Sequence, residues 1–304
     1  MTIPVILDTD IGFDVDDIWA LSFLLKCPEL DVRLITVCSG EVRYRAALVA
    51  KFLTLAGRTD IPVGLGISTK PNPQTHANWL GDYDLDNYPG RVYEDGVGAL
   101  CDTIMLHQDA VRLVCIGPLT NIAAALQTNP DIVNHARVVG MHGSIKRGYL
   151  GAPKPMREFN VVQDIAACQA VFKAAWPKLI TPLDTCGTTV LSGENFQRIA
   201  TSPLETNKAI MVNHYDWFAK IADWKRMNSL AEHLDVNKQS SVLYDCVAVY
   251  LAFASDWATI ERLNIEVNDA GETVVSDQGN AIDCATEWVD EDAFLKFLSQ
   301  RLAS

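Results

Sequence analysis

The sequence lacks an excess of positive charge. Its 304 residues include 25 lysines and arginines against 38 aspartates and glutamates, which gives a formal charge of −13 at pH 7. A chain this acidic is poorly suited to holding the phosphate backbone of a nucleic acid by broad electrostatic attraction. We therefore expect no nucleic-acid partner. A hard cation or a neutral small molecule is the better-matched ligand.

The sequence also lacks paired cysteines and long apolar runs. Its eight cysteines form no Cys-x-x-Cys pair and have no histidine at zinc spacing, which favours a reducing compartment. No apolar run reaches the length of a membrane span, and the first residues do not resemble a signal peptide. We expect a cytoplasmic protein with no membrane partner. A hydrophobic content of 49% provides a large core and excludes disorder.

Short apolar runs alternate with helical patterns along most of the chain. The predicted strands are not amphipathic, which indicates a parallel sheet covered by helices on both faces. No repeat or linker is visible, so we predict one α/β domain over residues 1–304, with a mostly parallel central sheet flanked by helices.

The predicted elements follow a regular β-α order. The strands are 3–7, 32–38, 61–63, 111–116, 137–141 and 178–182. The helices are 18–25, 45–55, 97–107, 121–127 and 165–175. Outside this pattern we predict a loop over 64–90, mostly helical structure over 189–256, late strands over 263–284 and a closing helix over 290–303.

The segment directly after the first predicted strand is the most informative one. It contains five aspartates within ten residues: Asp8, Asp10, Asp14, Asp16 and Asp17. Ionised neighbours disfavour one another's charge, and a bound cation relieves that repulsion. Oxygen ligands suit Ca²⁺ or Mg²⁺, and α/β proteins bind ligands beyond the carboxyl ends of their parallel strands. The alternative is an acidic cap on a solvated turn.

Four segments match, in order, the motifs of one enzyme family. Residues 8–12 and 16–21 contain Asp-Thr-Asp-Ile-Gly and Asp-Asp-Ile-Trp-Ala-Leu, with two extra residues between the halves of the motif. Residues 117–121 read Gly-Pro-Leu-Thr-Asn, residues 158–160 read Glu-Phe-Asn, and residues 244–246 read Tyr-Asp-Cys. Together these segments resemble the inosine–uridine-preferring nucleoside hydrolase family.

The resemblance implies Ca²⁺-dependent hydrolysis of the N-glycosidic bond of a ribonucleoside, in a protein that forms a homodimer or homotetramer. It implies calcium ligands at Asp10, Asp17 and Asp245 and at the backbone carbonyl of Ile116. It also implies that Asp10 takes a proton from the attacking water as general base. The implied sugar-binding residues are Asp16, Glu158 and Asn160, which hold ribose hydroxyls, and Met141, which packs near the sugar. The two extra residues leave open which of Asp14, Asp16 and Asp17 binds metal and which binds sugar.

The sequence departs from the family pattern at the residues nearest the base and sugar. Tyr244 stands where many members have a histidine that protonates the leaving base, and Glu41 replaces an asparagine near the ribose. His142 follows Met141 in place of a glycine, so Tyr244 and His142 are our candidate catalytic acids. Trp79 and Trp224 are candidate platforms for stacking on the base.

Other interpretations remain open at this point. Glu158 and Asn160 could cap a helix that begins near Asp164, and Asp245 could be a paired core carboxylate. The protein could be a non-catalytic or altered-substrate ribosyl-binding member of the same scaffold. It could also be a haloacid dehalogenase-type phosphatase, in which Asp8 would be the nucleophile and Mg²⁺ the metal.

Overall fold

The acidic segment lies at the carboxyl end of a central strand in a ten-stranded sheet. The computed structural model describes residues 2–107, 110–221 and 235–304. In chain order the strands are β1 Ile3–Thr9, β2 Leu30–Val37, β3 Val63–Leu65, β4 Val92–Tyr93, β5 Val111–Cys115, β6 Ala136–Met141, β7 Lys178–Thr181, β8 Ala258–Val267, β9 Thr273–Val275 and β10 Asn280–Trp288. Their order across the sheet is β4-β3-β2-β1-β5-β6-β7-β10-β8-β9.

Most of this sheet is parallel. Strands β1 to β7 pair in parallel, and β10 also pairs in parallel with β7. Strands β8 and β9 add an antiparallel edge, through the pairs β10–β8 and β8–β9. The carboxyl ends of β1, β2, β5 and β6 therefore meet at one edge of the sheet, where ligands of such folds bind.

Helices cover both faces, as the apolar strands require. One core contains Trp19, Phe52 and Tyr250, and the other contains Leu100, Ile122 and Phe172. The described helices are α1 Asp16–Leu25, α2 Val42–Leu55, α3 Ala77–Leu80, α4 Gly96–Leu106, α5 Thr120–Thr128, α6 Phe159–Gln163, α7 Ile165–Lys173, α8 Leu183–Cys186, α9 Gly193–Ala200, α10 Glu205–Lys220, α11 Tyr244–Leu251 and α12 Glu291–Leu302. The predicted fold class, a single α/β domain with a mostly parallel sheet, is confirmed.

The segment between β2 and α4 departs most from the predicted elements. The strand predicted at 61–63 begins instead at Val63. Pro62 has no N–H to donate to the neighbouring strand, so it cannot take full part in the sheet. The carbonyl of Pro62 does accept a hydrogen bond from the N–H of Ile35. The segment predicted as a loop over 64–90 contains the end of β3, the short helix α3 and a 3₁₀ turn at Leu85–Asn87. Its Pro, Gly and Asn content predicts turns correctly but does not reveal that Leu85 packs into the core.

All eight cysteines are buried and free of disulfide bonds, as their apolar neighbours suggest. Within the described ranges, no helix combines the length and the apolar character needed to cross a membrane.

One buried amide connects the strands that carry the acidic segment. Asn121, at the start of α5, has no exposed surface. Its Nδ2 donates to Oδ1 of Asp8 (2.8 Å) and to the carbonyl of Val37 (3.1 Å), and its Oδ1 accepts from the N–H of Ile67 (2.9 Å). The Gly-Pro-Leu-Thr-Asn motif thus joins β1, β2 and the loop after β3.

We predict that Asn121→Ala destabilises the fold by about 3 kcal/mol, because it leaves several buried polar groups without partners. Urea denaturation followed by circular dichroism measures this change. Asn134→Ala, at an exposed site, is the control and should cost less than about 0.5 kcal/mol. Equal effects of the two substitutions would contradict a connecting role for Asn121.

Candidate active site

The acidic segment forms a tight turn between β1 and α1. Gly12 has a φ of +114°, and a Cβ there would lie 2.7 Å from side-chain atoms of Leu48 and Tyr44, so only glycine fits. The hydroxyl of Thr9 accepts from the N–H of Ile11 (3.1 Å) and donates to Oδ1 of Asp17 (2.5 Å). The turn therefore directs the first carboxylates of α1 back towards the end of β1.

Three buried carboxylates meet where α1 and α11 pack together. Asp16 and Asp17 lie in the first turn of α1, and Asp245 lies in the first turn of α11. Each offers a carboxylate oxygen, and these oxygens lie within 4.8 Å of one another. An all-oxygen donor set of this size suits a hard divalent cation such as Ca²⁺, so the residues present fit the implied metal.

Electrostatic repulsion is strong within this cluster. Burial, and then the neighbouring carboxylates, raise the pKa values of Asp16, Asp17 and Asp245 well above their ordinary value. Burial also raises the pKa of Asp14 to about 6, with a further contribution from Asp10. Without a cation, these carboxyl groups hold protons that exposed aspartates would have lost.

Asp10 lies beside the cluster and against the end of β5. It raises the pKa values of Asp17 and Asp245 through its charge. A Cβ built on Gly117 would lie 2.9 Å from the backbone nitrogen of Asp10 and 3.0 Å from its Oδ1. The sequence predicts Asp10 as a carboxylate ligand and Asp16 as a sugar ligand, whereas the three mutually close carboxylates include Asp16 and not Asp10.

The amide of Asn160 connects the ends of β5 and β6. Its Nδ2 donates to the carbonyls of Ile116 (3.1 Å) and Met141 (3.2 Å) and lies 3.5 Å from the sulfur of Met141. All three residues are buried. The structure thus brings together Ile116, Met141 and Asn160, which the sequence predicts for metal and sugar binding.

Glu158 is the N-cap of α6. Its carboxylate accepts from the backbone N–H groups of Asn160 (2.7 Å), Gly143 (3.1 Å) and Val161 (3.1 Å). Burial raises its pKa to about 7, against these hydrogen bonds and with a contribution from Asp10. Glu158 therefore caps a helix, as the alternative interpretation suggests. The helix that it caps is α6, which begins at Phe159, whereas Asp164 caps α7, which begins at Ile165.

Two tyrosines form the wall beside the carboxylates. The ring of Tyr244 meets that of Tyr149 edge to face, with centroids 5.9 Å apart. Burial, and then the charge of Asp14, raise the pKa of Tyr244 well above 10, so the phenol keeps its proton. The hydroxyl of Tyr149 accepts from the N–H of Phe159 (2.8 Å).

Sequence reasoning missed Tyr149 and also the stacked rings of Phe13 and Phe159, whose centroids are 5.6 Å apart. It likewise missed the role of Asp184, whose carboxylate accepts from the N–H groups of Ile145 and Lys146 and so holds the loop that carries Tyr149. The sequence signal for these residues is limited to their position within or beside motifs, since their contacts are made by folding.

His142 is enclosed in the core. Its ring has no exposed surface, its Nε2 lies 3.1 Å from the carbonyl oxygen of Gly117, and it meets Phe172 edge to face. Burial lowers its pKa to about 4, so it is neutral near pH 7. This placement argues against the predicted role of His142 as proton donor to the base.

The other predicted substrate residues have different placements. Glu41 is exposed at the N-cap of α2, and its side chain makes no capping hydrogen bond. Trp79 packs on the same helix. Its ring centroid lies 6.4 Å from that of Phe52 and 4.9 Å from Nζ of Lys51. These contacts explain the position of the ring without a stacked nucleobase. Trp224 lies outside the described residues.

Comparison with known proteins identifies the family of this chain. The family described as inosine-uridine preferring nucleoside hydrolase matches residues 5–296. The pyrimidine-specific ribonucleoside hydrolase RihA of Klebsiella pneumoniae is 30% identical, covering 100% of this chain and 99% of that protein. The protein of the same name from Escherichia coli O1:K1 is 31% identical over 74% of this chain and 75% of its own length.

Solved structures share the fold. The plant nucleoside hydrolase PpNRh1 has a TM-score of 0.80 and 22% identity, and the alignment covers 100% of both chains. The purine-preferring ribonucleoside hydrolase from Gardnerella vaginalis has a TM-score of 0.78 and 24% identity, covering 99% of this chain and 98% of that one.

The family match runs from β1 into α12, so it includes the acidic segment, the Gly-Pro-Leu-Thr-Asn motif and the residues around Glu158 and Asp245. The matched family is not that of the haloacid dehalogenases, and we set that alternative aside. The chain belongs to the inosine–uridine-preferring nucleoside hydrolase family and is an N-glycosidase that hydrolyses ribonucleosides.

Proposed function

We propose that this enzyme hydrolyses the N-glycosidic bond of a ribonucleoside in a Ca²⁺-dependent reaction. The observation that carries the proposal is the meeting of Asp16, Asp17 and Asp245, with oxygens within 4.8 Å of one another, next to Asp10. Buried carboxylates at this distance require either protons or a cation.

We assign some of these residues to the metal ion and others to the sugar. We assign Asp10, Asp17, Asp245 and the carbonyl of Ile116 to the ion. Asp16 lies in the same cluster and holds a ribose hydroxyl next to the ion. A bound Ca²⁺ supplies the positive charge that fixes vicinal hydroxyls and lowers the pKa of a nearby water.

The same edge of the sheet carries the other sugar-binding groups. Asn160 presents its amide between the ends of β5 and β6, where Met141 packs beside it. The carboxylate of Glu158 is fixed by three N–H groups, so its orientation is set before a sugar arrives. Preorganised polar groups of this kind select a hydroxylated substrate.

Asp10 is our general base. It takes the proton of the attacking water as the sugar develops oxocarbenium-like character and the base leaves. Gly117 leaves room for it, because a Cβ at that position would lie only 3.0 Å from Oδ1 of Asp10. Tyr244 retains its proton and stands at the wall of the site, where it can donate a hydrogen bond to the leaving base.

We further propose that the enzyme acts in the cytoplasm, in nucleoside salvage, as a homodimer or homotetramer. The acidic composition, the buried free cysteines and the family support these assignments. Size-exclusion chromatography with light scattering measures the assembly. Base release from inosine and from uridine measures the preference for purine or pyrimidine.

The first prediction from the proposed mechanism concerns the general base, Asp10. Asp10→Ala should lower kcat/KM for the best nucleoside by about 10³-fold or more, because the water loses its proton acceptor. Asp82→Ala, in an exposed acidic loop, is the control and should leave turnover within about twofold. Unchanged turnover in the Asp10 variant, with base release followed by chromatography, would refute the mechanism.

The second prediction concerns calcium and pH. The metal-free folded state holds protons on its cluster, whereas the unfolded chain loses them near pH 4, so metal-free stability falls as pH rises above about 4. Ca²⁺ has to displace these protons, so it binds more tightly at higher pH. The rise in Tm caused by Ca²⁺ should be larger at pH 8 than at pH 5.5 by at least about 3 °C.

Differential scanning fluorimetry measures this rise, with EGTA-treated protein as the reference. Mg²⁺ at the same concentration is the control, and it should stabilise less because it demands a tighter octahedral site. A rise in Tm that is equal at both pH values would contradict proton displacement from the cluster.

The third prediction concerns the tyrosine. Tyr244→Phe should lower kcat/KM by about tenfold or less, because a phenol with a raised pKa transfers its proton poorly and contributes mainly a hydrogen bond. A loss greater than that of Asp10→Ala would instead make Tyr244 the essential acid.

A further inference from the structure

Arg45 is a buried cation close to the acidic turn. It lies in the first turns of α2, and its exposed fraction is 2%. Its Nη1 donates to the carbonyl of Ile11 (2.7 Å), and its Nε donates to the carbonyl of Ser39 (2.9 Å). The guanidinium thus joins the residue after Asp10 to the chain that leaves β2.

The chain around Ser39 is shaped to receive this guanidinium. Ser39 has a φ of +58° and Gly40 a φ of +54°, so two successive residues are in the left-handed region. A Cβ on Gly40 would lie 3.1 Å from Nη2 of Arg45, and the hydroxyl of Ser39 lies 3.4 Å from the same nitrogen. A strained turn of this kind persists when its surroundings hold it. Arg45 makes part of these contacts, and the N–H groups of Ser39 and Gly40 donate to the carbonyl of Ile67 (3.0 Å) and the hydroxyl of Thr69 (2.8 Å).

The charge of Arg45 lies near carboxylates without contacting one in the part of the chain that the structure describes. Among the described residues, no carboxylate forms an ion pair with it, and its hydrogen bonds go to backbone carbonyls and a hydroxyl. A buried cation without compensation is costly. The compensation available is the negative field of Asp10 and Asp17, on which Arg45 acts through charge.

We infer that Arg45 is a positioning residue that joins the acidic turn to the end of β2 and so fixes the arrangement in which the carboxylates bind their cation. This inference rests on the proposed Ca²⁺-dependent function. Removal of the guanidinium frees the carbonyl of Ile11, which adjoins Asp10, and relaxes the left-handed turn that precedes Glu41. The binding geometry loosens, while the carboxylates themselves remain.

The test compares Ca²⁺ binding by purified full-length variants, measured by isothermal titration calorimetry on protein freed of metal. Arg45→Met keeps the apolar stem and removes the fork of donors. Arg45→Lys keeps the charge but loses the paired donors. Arg43→Met is the matched control, because Arg43 lies in the same helix, has 49% of its side chain exposed and pairs with Asp86.

We expect the Kd for Ca²⁺ to rise at least about tenfold in Arg45→Met and by a smaller factor in Arg45→Lys, and to stay within about twofold in Arg43→Met. We also expect kcat to fall more than KM rises in both Arg45 variants, because the general base is displaced. If Arg45→Met does not fold, as judged by circular dichroism, Arg45→Lys decides the question by the same measurement.

A wild-type Ca²⁺ affinity in folded Arg45→Met, or in Arg45→Lys where Met does not fold, would overturn the inference. The residue would then serve stability alone, and the proposed function would stand. Absence of Ca²⁺ binding by the unmodified protein would overturn the proposed function and, with it, this inference.

Discussion

The mutual repulsion of buried carboxylates is the constraint on which the rest of this structure depends. Asp16, Asp17 and Asp245 lie within 4.8 Å of one another inside the protein, with Asp10 and Asp14 adding charge. Ionised carboxylates this close together destabilise the folded state unless protons or a cation neutralise their charge. The hydroxyl of Thr9 donates to Asp17, the absence of a side chain at Gly117 leaves room for Asp10, and Arg45 donates to the carbonyl of the residue after Asp10.

The parallel sheet provides the place for such a cluster. Four neighbouring strands end at one edge, and each places a different group there. The acidic turn follows β1 and the strained turn follows β2. The carbonyl of Ile116 follows β5, and Met141 lies at the end of β6. Asn121 and Asn160 join these ends through hydrogen bonds. The site is therefore built from long-range contacts on a rigid scaffold, which favours the positioning of reacting groups.

Much of this could be predicted from the sequence. The apolar strands predict the parallel sheet, and the aspartates after β1 predict a cation site, because both follow from local composition. The pairing of Asp245 with Asp17 came from family resemblance, since the two lie 228 positions apart in the chain. The sequence did not show the environment of single side chains. His142 and Trp79 have suitable chemistry, but the structure gives both of them packing contacts, and Tyr149, Asp184 and Arg45 acquire their roles only through folding.

The most direct test of the central claim is a crystal structure of the enzyme grown with Ca²⁺, with the ion identified by its anomalous scattering. We expect one ion whose ligands include Asp17, Asp245 and Asp10 and the carbonyl of Ile116, at about 2.3–2.6 Å. A crystal grown with Ca²⁺ that shows no ion at these ligands, or an ion bound only at other residues, would contradict the proposed site.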